Sequence, residues 1–117
     1  MEVIEKRRRL REKYIQDSRR WVCSLPFKLT AVLVGSYARG DFNLWSDVDI
    51  LLVSTEFKGN PVERLKRLDI PAGFQVIPLT DKEFKRLLEK GEPLILEAKE
   101  SGVVLKDDLK IFGTNFS

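Results

Sequence analysis

The stretch Gly35–Val53, GSYARGDFNLWSDVDILLV, constrains this chain more than any other. An apolar run, Leu29–Val34, ends in a Gly-Ser turn; ten residues later Asp47-Val48-Asp49 opens a second apolar run through Val53. A strand puts alternate side chains on one face, so Asp47 and Asp49 should point the same way with Cβ atoms ~7 Å apart. Beyond Asp49, Val48, Ile50 and Leu52 fall on one face and Leu51 and Val53 on the other, which predicts a central strand covered on both sides. Two carboxylates facing a Gly-Ser turn make a site for a divalent metal and phosphate. The same spacing also suits an Asp-x-Asp that only caps a loop.

The remaining residues narrow the chemistry. No histidine is present and Cys23 is the single cysteine, so Ser-His and Cys-His nucleophiles, a zinc cage and an internal disulfide are excluded. Cys23 is expected as a small apolar filler at a helix end. Catalysis would have to use carboxylate, lysine, tyrosine or metal. No apolar run nears the ~20 residues of a membrane span, and the N-terminus is charged from Glu2 onward, so a single cytoplasmic domain over 1–117 is the expectation.

Charge is uneven. Residues 1–20 hold eight Lys/Arg against four Asp/Glu, whereas the remainder carries thirteen against fourteen, so the net +3 belongs to one N-terminal segment. That segment, within 1–25, reads as a helix to about Ser24, with Val3, Leu10, Tyr14 and Trp21 at helical spacing and Pro26 beyond its end. Interleaved acids make it a solvated helix packed on the domain or used in self-association, rather than a face tracking nucleic acid.

Further along, Tyr37–Gly40 reads as a short helix and 41–46 as a loop. Asn60-Pro61-Val62-Glu63 and Thr80-Asp81-Lys82-Glu83 are capping boxes that open helices to about Leu68 and to Gly91. Gly73–Pro78 is a strand, Pro93–Ser101 a helix stopped by Gly102, Val103–Leu105 a short strand, and the tail to Ser117 carries no clear pattern. The order describes an α/β domain with a small central sheet flanked by helices.

Chemically, magnesium takes one or two carboxylates plus phosphates and water, which Asp47 and Asp49 could complete. Gly35 lets backbone approach a phosphate without a Cβ, and Ser36 at a helix start offers N–H groups and a hydroxyl.

A Gly-Ser ending a strand, ten residues, then Asp-x-Asp entering a central strand resembles the nucleotidyltransferase superfamily of DNA polymerase beta. Ala38-Arg39-Gly40 and Ser46-Asp47 sharpen the likeness toward minimal nucleotidyltransferases, and residues 74–108 resemble the third strand and following helices of that family. The resemblance covers 29–108 and implies a palm-like core with a mixed sheet. It implies that Gly35 and Ser36 bind the triphosphate of a nucleotide such as ATP, and that Asp47 and Asp49 are catalytic and bind Mg2+, with room for two ions. Arg39 could reach phosphate or pair with Asp41 or Asp47. Asp41 and Ser46 are expected to shape the loop. Tyr37 and Trp45 could stack on a base, with core packing the expected role. The family also offers a third carboxylate from the neighbouring strand, and the matching position here is Gln75, a neutral amide. Minimal nucleotidyltransferases commonly act as antitoxins that transfer AMP to a HEPN-type toxin ribonuclease. The resemblance therefore implies AMP transfer to a partner protein. A catalytically silent binding protein and an enzyme acting on a nucleic-acid end are the alternatives, and a homo-oligomer is open.

Overall fold

The computed structural model describes residues 2–112. Nine elements follow one another: α1 (Glu2–Ser24), β1 (Thr30–Val34), α2 (Gly35–Arg39), β2 (Val48–Val53), α3 (Pro61–Lys66), β3 (Phe74–Leu79), α4 (Asp81–Glu89), α5 (Pro93–Ser101) and β4 (Val103–Asp107). The part of the tail at 113–117 lies outside the described residues. The sheet runs β3-β2-β1-β4. β1 is antiparallel to β2 and β4, and β2 is parallel to β3, so the sheet is mixed and the α/β expectation holds.

Alternation along β1 and β2 divides the core in two. Val48, Ile50 and Leu52 join Ala31, Leu33 and Val76 under Ile15 and Val22 of α1. Val32, Val34, Leu51 and Val53 face Phe84 of α4, Ile95 and Ala98 of α5, and Phe112. Burial on both faces makes β2 the inner strand its apolar run predicted.

Both capping boxes form. Asn60 and Thr80 accept from the backbone N–H of Glu63 and Glu83, whose side chains accept from the cap N–H in return. Glu83 has a second partner: Arg64 of α3, buried, donates to both its carboxylate oxygens at 2.6 and 3.3 Å and to the Pro78 carbonyl at 3.1 Å. One side chain thus ties α3, β3 and α4 together.

Several expectations need correction. Cys23 is exposed, not buried, because it points away from the sheet on the outer side of the last turn of α1. Val3 is 69% exposed as well, at the edge of a hollow that Leu10, Phe42 and Leu44 line together with Lys6, Arg7 and Asn43. Gly102 ends α5 as expected, in an extended conformation with φ −69° and ψ 154°. A Cβ there would collide with the Ala98 carbonyl and with Val32, and the space rather than the dihedral calls for glycine. α2 begins at Gly35 instead of Tyr37, and β2 begins at Val48, leaving Asp47 just outside it. Among the described residues no helix is long and apolar enough to cross a membrane.

Candidate active site

The site is built where β1 gives way to α2. Gly35 has φ +76°, a left-handed conformation that side chains disfavour. α2 is only five residues long and is anchored by its buried residues Tyr37 and Ala38. The Tyr37 ring stacks on Phe42 at 4.3 Å and meets Tyr14 at 5.0 Å, which fulfils its expected packing role. Gly40, also left-handed at φ +93°, closes α2 by donating its N–H to the Ser36 carbonyl. Further carbonyls at this end are met from α1: Arg11 donates to Tyr37 O at 2.7 Å and Ala38 O at 2.8 Å, and Arg7 donates to Phe42 O.

Asp49 lies half-buried on β2, directly across from Val34 of β1 and beside Gln75 of β3. A Cβ on Gly35 would come within 2.5 Å of Asp49 Oδ2. The missing side chain of Gly35 therefore makes room first for this carboxylate, whereas the sequence reading reserved the space for phosphate. Burial, then the negative charge of Asp47, push the Asp49 carboxyl above the ordinary aspartate range; Arg39 pulls against that shift and Glu97 adds to it. Asp47 itself is exposed.

Arg39 does not pair with Asp47. Its Nε donates to Asp41 Oδ2 at 3.2 Å and its Nη1 to Glu97 Oε1 at 2.7 Å. The other oxygen of Glu97 accepts the Gly35 N–H at 3.1 Å. Glu97, on α5, is the residue of the site that sequence reasoning missed. Nothing in PLILEAKES distinguishes it from an exposed helix carboxylate, and it lies 62 positions from its Gly35 partner.

The 41–46 loop is self-braced: Ser46 Oγ accepts from Asn43 N at 2.9 Å, and Asn43 Oδ1 accepts from Trp45 N at 2.8 Å. Ser46 thus shapes the loop as expected, while the Asp41 side chain is engaged by Arg39. Trp45 does not pack in the core; 90% exposed, it stands out from the loop because its neighbours Asn43 and Ser46 hold the backbone there.

The donor chemistry fits a divalent ion. Among the described residues no group of three or more His, Cys, Asp or Glu forms a metal cage. Two carboxylates and the amide oxygen of Gln75, the register partner of Asp49, match the protein share that magnesium takes when phosphates and water complete its shell. Burial first and then the Asp47 charge disfavour the ionised Asp49 carboxylate, and a bound cation would offset both.

Residues 15–112 match the nucleotidyltransferase domain family, and the chain belongs to it. A nucleotidyltransferase domain takes a nucleotide substrate. The fold also matches a crystal structure from Sulfolobus solfataricus provisionally designated a nucleotidyltransferase, with a TM-score of 0.55 and 23% identity over 89% of this chain and 86% of that one. No curated protein matches the chain.

Proposed function

We propose that the chain is a metal-dependent nucleotidyltransferase that moves AMP from ATP to a hydroxyl of a partner protein, in the manner of an antitoxin that modifies a HEPN-type toxin. The observation that carries the metal and phosphate part is the seating of the Asp49 carboxylate against Gly35, with Arg39 close enough to perturb it. The partner and the nucleotide rest on the likeness to minimal nucleotidyltransferases.

In this reading Asp47 and Asp49 hold Mg2+, and Gly35, Ser36 and Arg39 hold the triphosphate. A bound divalent ion would supply neutralisation of charge on the departing pyrophosphate. The acceptor hydroxyl forms a bond to the α-phosphorus as the bond from phosphorus to the bridging α,β-oxygen breaks. Gln75, placed beside Asp49, cannot take the hydroxyl proton, so that proton leaves to the solvent that reaches exposed Asp47. The reaction should be slow for want of a base.

The Asp49–Gln75 pairing also favours a second reading, a silent binding protein that neutralises its partner by contact. Titration with Mg·ATP separates the two, followed by transfer of label from α-labelled ATP. Wild-type protein should bind nucleotide only with magnesium, and Asp47→Asn combined with Asp49→Asn should abolish binding. Equal binding by the double variant would sink the metal site. Binding without any transfer to a co-purified partner would favour the silent protein.

A nucleic-acid acceptor is disfavoured by how α1 spends its cations. Arg7, Arg11 and Arg19 donate to backbone carbonyls of the domain, and Arg8, Lys13 and Arg20 pair with acids on the same helix. Few remain to face phosphates.

A further inference from the structure

The geometry points to Glu97 as a positioning residue of the nucleotide site, one that holds both Arg39 and the Gly35 turn in place for phosphate. This rests on the proposed nucleotide-binding reading and extends it to a residue outside the Gly-Ser and Asp-x-Asp motifs.

Glu97 reaches the site from the opposite side to α1. α5 is fixed to the sheet by Ile95 and Ala98, both buried against Val32, Val34, Leu51 and Val53. Glu97 therefore projects from a rigid platform toward the end of β1. Its two oxygens divide their work, one accepting the Gly35 N–H at 3.1 Å and one the Arg39 guanidinium at 2.7 Å. Asp41 holds Arg39 from the other side at 3.2 Å.

Donor arithmetic separates positioning from blockade. A guanidinium carries five N–H donors. One goes to Glu97 and one to Asp41, leaving about three for a ligand. Held between two carboxylates, Arg39 loses less rotamer freedom when phosphate arrives, so the ordering cost of binding falls.

Glu97→Ala, Glu97→Gln and Arg39→Ala, alone and as Glu97→Ala with Arg39→Ala, test this with Mg·ATP as the probe and melting temperature as a control. Glu97→Ala should weaken Mg·ATP binding about tenfold, because two charge-assisted or backbone hydrogen bonds that order the site are lost. Glu97→Gln keeps one acceptor oxygen and should recover part of the loss. In the Arg39→Ala background the part of the Glu97→Ala effect that runs through Arg39 should vanish, leaving the part carried by the Gly35 contact. Unchanged or tighter binding in the Glu97 variants overturns the role, as do losses that simply multiply with Arg39→Ala. Failure of both Glu97 variants to fold also overturns it, leaving Glu97 a structural residue. If wild type and the Asp47→Asn, Asp49→Asn double variant bind Mg·ATP alike, the nucleotide-site reading itself fails. Carboxylate-dependent binding that is indifferent to Glu97 leaves that reading standing and removes only this residue.

Discussion

Asp49 of β2 and Gln75 of β3 are register partners in the parallel half of the sheet, so their side chains leave the same face at neighbouring positions. Gln75 is thus placed where a further carboxylate could share a cation with Asp49. Gln75→Asp should raise affinity for Mn2+ about tenfold, since a neutral ligand becomes an anionic one. In EDTA the same change sets like charges side by side and should cost up to about 1 kcal/mol. Calorimetric titration and melting with and without metal read the two effects, and a variant with unchanged Mn2+ affinity would show that the Gln75 position does not reach the ion.

Asp49→Asn should make the metal-free protein more stable while removing metal binding. The sign follows from the raised Asp49 carboxyl. A carboxyl whose folded value lies above its unfolded value binds its proton more tightly when folded, so stability falls as pH rises through that interval. Below both values the group contributes nothing; above both it carries its full penalty. The melting-temperature advantage of Asp49→Asn in EDTA should therefore be small in acid and grow toward neutral pH. A gap that shrinks toward neutrality would contradict this.

Gly35→Ala should cost about 2 kcal/mol or more: φ +76° strains a side-chain-bearing residue, and the new methyl meets Asp49 Oδ2. Urea unfolding measures the loss. Adding Asp49→Ala to Gly35→Ala should return part of it, because the dihedral strain stays while the steric conflict goes. No recovery would locate the cost in the backbone alone.

Away from the site, Arg64→Ala should cost about 2 kcal/mol, a buried-pair loss discounted for the partial exposure of Glu83. Arg64, with the Thr80 backbone N–H, holds the Glu83 carboxyl below the ordinary glutamate range. A lowered folded value means stability that is complete above the unfolded value and lost as pH falls through the folded one. Glu83→Gln should thus be less stable than wild type at neutral pH, with the gap closing in acid on thermal melts.

What the sequence made legible was local. The bounds of α1 and α5, both capping boxes and the two faces of β2 follow from periodicity and turn chemistry acting over a few residues. The Gly35–Asp49 half of the site was readable because both residues belong to one continuous β1–α2–β2 unit. Glu97 was not: its role depends on where α5 packs, which no short-range pattern encodes. Trp45 and Cys23 were misread for a related reason. Apolar character predicts burial only where tertiary structure supplies a surface to meet; Phe42 finds one on Tyr37, whereas Trp45, three residues further along the same loop, and Cys23 on α1 do not. Gly102 was legible as the end of α5, but its contact with Val32 was not, since that arises only once α5 lies on the sheet.

The family match starts at residue 15, yet Arg7 and Arg11, which hold the carbonyls at the end of α2 and in the loop after it, precede that point. The boundary drawn by similarity and the boundary of mechanical support are therefore different. A piece cut to the matched residues would keep every motif side chain and lose the α1 arginines that support the segment carrying Ser36 and Arg39. Such a fragment would be expected to retain its sheet and bind nucleotide poorly. Impaired binding in a shortened form would accordingly report on a missing brace rather than on the identity of the catalytic groups.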